Sequence, residues 1–263
     1  MIRAMYVAKT GLEAQETRLA AISNNLANAN TYGYKTGRAE FVDLLYQNVR
    51  QPGAQATQDT ANTLPSGLQL GAGVRTVGVQ KLHTQGNLLM TEQQLDVAIN
   101  GKGFFRVLDQ NGEVMYTRDG SFQLNQNGDL VTSSGYLVDP NINIPANALE
   151  VMISKDGQVS VRLPGDPNPN VVGQLQLATF INPAGLESIG DNFYRETTAS
   201  GAPTVNNPGT EDAGQVIQGA LEASNVNTAG ELIEMIEAQR TYEMNSKVIA
   251  AASGMLQFLN NTV

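Results

Sequence analysis

Two apolar stripes at opposite ends of the chain restrict its possible folds more than any other feature. Near the amino terminus Met5, Ala8, Leu12, Gln15, Leu19, Ile22 and Leu26 recur at alternating steps of three and four residues. That is the a/d spacing of a helix with one narrow apolar seam. No proline precedes Pro52, and only Gly11 weakens the helix interior. The spacing therefore predicts a rod of about 40 Å, from roughly 25 residues rising about 1.5 Å each. Near the carboxy terminus Ile233, Ile236, Arg240, Met244, Val248, Ala251, Met255 and Phe258 follow at a mean step close to the helical period. Thr228 and Glu231 read as a T-x-x-E capping box, and Glu231, Glu234 and Glu237 complement the dipole of the first turns. Two helices bury one seam against each other, and isolated helices of this length are marginal in water. Much apolar surface then stays exposed unless further copies cover it, so the termini are expected to order fully only on assembly.

Between the stripes the pattern is β. The segments LDVAI (95–99), GFFRVL (103–108), EVMYT (113–117), FQL (122–124), DLVT (129–132) and YLV (136–138) follow at short intervals. The runs DQNG, NQNG and SSG between them are hairpin-turn signals. VMIS, QVSVRL and VVGQLQLATFI continue the series. Residues 47–73 and 197–215 lack a sustained period and read as an irregular arm and a linker. The predicted fold class is α+β: terminal helices paired as a coiled coil, with an extended arm and an antiparallel all-β domain inserted between them. The expected divisions are 1–34 with 221–263 for the helices, 35–80 with 200–220 for the arm and linker, and 81–199 for the β domain.

Chemistry is hard to find. The chain has one histidine, His83, and no cysteine, which removes thiolate nucleophiles, disulfides and clusters of His or Cys ligands. No phosphate loop, nucleophile elbow or H-E-x-x-H occurs. GKGFFR (101–106) has Arg106 where a dinucleotide loop needs glycine, and it sits between strands. DQNGE and NQNGD brush against calcium-loop composition but lack the closing Glu. Asp96, Asp109, Asp119 and Asp129 could supply a glycosidase pair, but no spacing forces two of them together. No catalytic residue, metal ligand or cofactor is expected.

The net charge of −9 argues against nucleic acid and against a polybasic membrane anchor. No stretch reaches the length of a membrane span, and Arg3, Lys9 and Glu13 interrupt the apolar runs a cleaved Sec signal needs. The 25 asparagines and 20 glutamines outnumber the 41 charged residues, giving a weakly repelling surface suited to dense packing of copies.

With this layout the run NNLANANTYGYK (24–35) becomes recognisable. Asn25, Leu26, Ala27, Asn28, Thr31, Gly33, Tyr34 and Lys35 match the N-[IL]-A-N-x-x-T-x-G-[YF]-K signature of the bacterial flagellar axial family, its rod and hook proteins. LDVAINGKGFFRV with YTRDGSFQLNQNGDLVTSSGYLV resembles the β block of the larger members. Residues 221–249 resemble their carboxy-terminal signature, with Ser224, Asn225, Val226, Glu231, Met235, Gln239, Arg240, Tyr242, Asn245 and Ser246 in the expected places. The chain departs at Ser253 and Gly254, where members often carry an Asp before the Met-Leu pair.

The resemblance implies a subunit that stacks helically with copies of itself into a hollow rod in the basal body. It would carry torque across the periplasm, with exported subunits passing through its lumen. The implied partners are proximal rod subunits, the hook protein or the hook-rod junction, the P- and L-ring bushing and the type III export apparatus. Export would proceed without a cleaved Sec signal. In the family an arm in the position of 47–73 is thought to stiffen the rod. The motif residues Asn25, Ala27, Asn28, Thr31, Gly33, Tyr34 and Lys35 are expected to form a joint. In it Asn25 and Asn28 bond to the carboxy-terminal helix or across subunits.

Overall fold

The computed structural model describes residues 2–51, 66–165, 168–210 and 212–262. Among the described residues the chain forms two α-helices, one toward each end, with antiparallel strands and one short 3-10 turn (Pro183–Gly185) between them. Contacts divide it into two compact units, and the chain passes from one to the other at 26/27, 36/37, 80/81 and 226/227. These units group the arm with the helices and the 200–226 stretch with the β domain, whereas the expected divisions kept both apart.

The first unit contains α1 (Ile2–Ala27), β1 (Gly37–Asp43), β2 (Tyr46–Arg50), β3 (Leu68–Gly71), β4 (Val74–Lys81) and α2 (Thr228–Thr262). The helices run antiparallel, since partners fall along α2 as they rise along α1. Gly11 lies against Asn245, Arg18 pairs with Glu234 and Glu237, and Asn25 meets Glu231. A Cβ on Gly11 would stand 2.9 Å from the Asn245 amide nitrogen, so glycine at this position admits the opposite side chain. The N-cap of α2 is Asn227, not the expected Thr228: its side-chain oxygen accepts the Gly230 N–H and its carbonyl accepts that of Glu231. Glu231, freed from a capping box, turns to α1.

Part of the arm read as irregular is strand. β1 pairs with β4, and β2 pairs antiparallel with β3 in the register Tyr46↔Gly71. The Arg3 guanidinium donates to Gln47 Oε1, and the Thr10 hydroxyl sits beneath Gly73, which ties the arm to α1. The rest of the expected arm, residues 52–65, lies outside the described residues.

The second unit opens with the turn 27–36 and then builds sheets. Its strands are β5 (Leu88–Met90), β6 (Val97–Asn100), β7 (Phe104–Leu108), β8 (Val114–Thr117), β9 (Phe122–Leu124) and β10 (Leu130–Thr132). They continue through β11 (Leu137–Val138), β12 (Glu150–Ile153), β13 (Gln158–Arg162), β14 (Asn170–Gln174), β15 (Leu177–Thr179) and β16 (Glu187–Gly190). The last four are β17 (Phe193–Arg195), β18 (Thr204–Asn206), β19 (Gln215–Gln218) and β20 (Ala220–Glu222). The largest sheet has the order β16-β17-β8-β7-β11-β10-β9, with β15 joining β7 beside β11 and carrying β18.

The predicted turns close the hairpins at Gly112, Gly128 and Gly135, each with φ near +80° (82°, 83° and 85°), where a side chain is strained. β12, β13 and β14 form a second sheet, while β19 pairs with β6 and β20 with β5. Alternating inward residues such as Val97, Ile99, Phe105, Val107, Val159 and Val216 fill one core. Full burial of each is worth about 1.5–3 kcal/mol.

Candidate functional site

In the helix unit the two predicted stripes have different fates. On α1, Ala8 and Ile22 are buried, and Met5, Leu12, Leu19 and Leu26 are half-buried. On α2 the whole predicted stripe faces outward: Ile233, Ile236, Arg240, Met244, Val248, Ala251, Met255 and Phe258 are all exposed. Ile233 is 61% exposed and Met244 58%. The inward face of α2 is a parallel stripe of small, polar and medium residues, namely Glu231, Met235, Ala238, Thr241, Asn245, Ile249, Ala252 and Leu256. The stronger apolar stripe is left on the far side of α2.

Asn25 ends this unit's first helix as a clamp. It is buried; its Oδ1 accepts the Gly37 N–H at 2.8 Å, and its Nδ2 donates to the Gly37 carbonyl at 2.9 Å and to Glu231 Oε1 at 3.1 Å. One amide thus copies a β-bridge to Gly37 and reaches α2. Partial burial raises the Glu231 carboxyl above its ordinary value, opposed by the Asn25 hydrogen bond.

The rest of the motif, Ala27 to Lys35, belongs to the β unit. Asn28 accepts the Thr31 hydroxyl at 3.2 Å and the Thr31 N–H at its carbonyl, a local turn bond. Gly33 has φ 67°, and its N–H donates to the Glu222 carbonyl at 2.8 Å. A Cβ there would come within 2.7 Å of the Asp119 nitrogen, so no side chain fits. Tyr34 is buried with the Lys81 ammonium 4.2 Å from its ring centroid.

Lys35 is fully buried. Its Nζ donates to Glu222 Oε1 at 2.6 Å and to the Thr84 carbonyl at 2.8 Å. On the other carboxylate oxygen, Arg118 Nε lies 2.9 Å away, and both partners are buried. The Arg118 fork also donates to the carbonyls of Gly103 and Gly101. Asn225 completes the knot, its Oδ1 accepting the Thr36 N–H at 2.7 Å and its Nδ2 donating to the Leu82 carbonyl at 2.9 Å. Burial pulls both Lys35 and Arg118 below their ordinary values, with Glu222 pulling the other way.

Lys35, Arg118 and Glu222 come from the amino-terminal, central and carboxy-terminal blocks of the sequence. Arg118 and Glu222 escaped sequence reasoning. Their signal was a charge at the carboxy-terminal end of a short strand, after VMYT and in ALE, in a chain with few charges. Of the four candidate carboxylates, Asp96 accepts the Thr91 hydroxyl, Asp119 accepts the Ser121 N–H, and Asp129 accepts three asparagine amides. Asp109 accepts the Asn111 amide. Among the described residues no group of three His, Cys, Asp or Glu is placed to hold a metal.

A helix-ended chain whose three blocks knot together in this way is matched by three family models. Residues 5–35 match the flagella basal body rod protein model, 98–161 the flagellar hook protein FlgE/F/G D1 domain, and 217–262 the flagellar basal body rod FlgEFG protein C-terminal model. These define the rod and hook class. Whole-chain relatives narrow it. The flagellar basal-body rod protein FlgG of Buchnera aphidicola subsp. Acyrthosiphon pisum is 52% identical over 260 residues, 99% of each chain. That of Caulobacter vibrioides is 49% identical over 97% of each chain, and that of Bacillus subtilis 38% over 99% of each. The chain belongs to the flagellar basal-body rod protein FlgG family.

Proposed function

We propose that this structural subunit of the flagellar basal-body rod polymerises helically with copies of itself into the distal rod. That hollow shaft passes torque toward the hook and exported subunits through its lumen. The observation that carries the reading is the outward apolar stripe of α2, running from Ile233 to Phe258 along the exposed side of a helix whose other side is already covered by α1. An apolar stripe of that length is unusual on a finished surface and marks a surface made for packing. Heterologous contacts that do not close generate open filaments.

The length, the arm and the resemblance of 196–227 to the distal members favour the distal rod over a proximal relative. No observation favours a cell-wall hydrolase, and the proposed role is structural rather than enzymatic. The proposed partners are the further copies, proximal rod subunits, the hook or hook-rod junction, the P- and L-ring bushing and the type III export apparatus. No helix among the described residues is long and apolar enough to cross a membrane.

The test replaces Ile236 and Val248 by serine together. The doubly substituted chain should keep the β-unit melt of the parent, lose sedimentable polymer and fail to restore motility in a strain lacking the parent gene. Unchanged polymer would remove the stripe from the assembly.

A further inference from the structure

The β unit contains a cavity of about 540 Å³ next to the buried knot. Lys35 and Arg118 stand in its wall, Phe104, Phe180 and Pro183 supply apolar surface, and Lys102 is at its exposed mouth. The volume is that of a site for a small organic ligand, and apolar, polar and charged side chains are mixed in the wall. His83 also lines it, edge-on to Phe104 and Tyr194 with ring centroids 5.5 Å apart in both cases.

Charge does not balance at this wall. The Lys35 and Arg118 cations are buried and share one carboxylate, that of Glu222. Lys81, close by on the Tyr34 ring, has no acidic partner among the described residues. Buried charge without a counter-charge is costly. In a chain whose net charge is −9, a local positive surplus is not a general property of the surface.

We propose that this cavity is a binding site for a carboxylate carried on an apolar body. The positive surplus behind the wall attracts one negative charge, and Asp212 in the wall opposes a more highly charged anion such as a phosphate dianion. The carboxylate comes either from an acidic side chain of a second copy or from a free small molecule. Only the first source rests on the polymer reading.

His83, the single histidine, reports on the cavity. Burial, with Lys35, Arg118 and Lys81 around it, lowers its pKa to about 4, and the Pro183 carbonyl pulls slightly the other way. The experiment follows its ring C–H signals by NMR in the dilute full-length chain during titration with sodium benzoate at constant ionic strength. Saturable shifts are expected, with the His83 pKa rising as benzoate binds, because a negative charge then offsets the three cations. Lys102→Glu, at the exposed mouth, should weaken binding roughly threefold or more. Absence of saturation, or equal binding of neutral benzamide, overturns the proposal.

The same signals in the assembled polymer separate the sources. A raised pKa that no longer responds to benzoate identifies a neighbouring copy, and an unchanged, benzoate-responsive pKa identifies a free carboxylate. A chain that binds benzoate but does not polymerise overturns the polymer reading and leaves the carboxylate site standing.

Discussion

Replacing Glu222 by glutamine isolates charge from shape at the centre of the knot. Its backbone carbonyl still accepts the Gly33 N–H, and a glutamine oxygen can still accept the Gly86 N–H that Oε1 holds at 2.8 Å. What disappears is the one negative charge facing Lys35 Nζ at 2.6 Å and Arg118 Nε at 2.9 Å. Two buried cations are then left facing each other without compensation. Removing one partner of a buried pair costs about 3–5 kcal/mol. Lys35→Met makes the opposite change, leaving Arg118 and Glu222 as a balanced pair, and should cost only about 1–2 kcal/mol in lost hydrogen bonding.

With a urea m-value of about 2 kcal/mol per molar, the midpoint should fall by about 1.5–2.5 M for Glu222→Gln and by about 0.5–1 M for Lys35→Met. Hydrogen exchange read by mass spectrometry on peptides spanning β7 and β8 across a urea series keeps the measurement within the β unit. If Lys35→Met proves as damaging as Glu222→Gln, the charge count is wrong and the triad is held by packing rather than by balance.

Other outcomes follow from the same geometry. Asn25→Ala strips three hydrogen bonds from a buried amide and should cost about 2–3 kcal/mol of helix-unit stability, seen as faster exchange at Gly37 and along α2; normal exchange there, with normal swimming, would remove the clamp from the account. Gly33→Ala must hold φ 67° and push a methyl into the Arg118–Asp119 backbone, so a melting-temperature drop of several degrees is expected by calorimetry. His83 stays neutral in the folded chain down to about pH 4, whereas the unfolded chain protonates it near 6.5. The unfolded state therefore binds the extra proton between those values, and stability should decline by up to roughly 3 kcal/mol as pH falls through that window. His83→Gln should flatten this part of the stability profile measured by urea titration, and an unchanged slope would refute the assignment.

The β unit was legible because alternation and glycine turns are local. Gly112, Gly128 and Gly135 mark their hairpins in three or four letters each, and the strands between them fall close to the predicted limits. β2 was not legible because all five of its residues are exposed, so no burial alternation is written into them. Hydrophobicity found the apolar stripe of α2 but not the face that meets α1, since Ala238, Asn245 and Ala252 are small or polar rather than bulky and apolar. The cap was placed one residue late because Thr228 and Asn227 are both good caps and only geometry chooses between them. The knot could not be read from periodicity at all. Lys35 and Glu222 are 187 residues apart, and nothing local in either segment names the other.

That separation has a consequence for timing. Asn25 bonds Glu231 across 206 residues, so the helix pair is closed only by the two extremities of the chain. The β unit likewise holds a residue from before the first strand and one from its last. A polypeptide delivered end first, from whichever terminus, lacks one half of both closures until almost its whole length has arrived. Loop-closure entropy must be met before either contact forms. The last segment to appear therefore acts as the latch that completes the molecule.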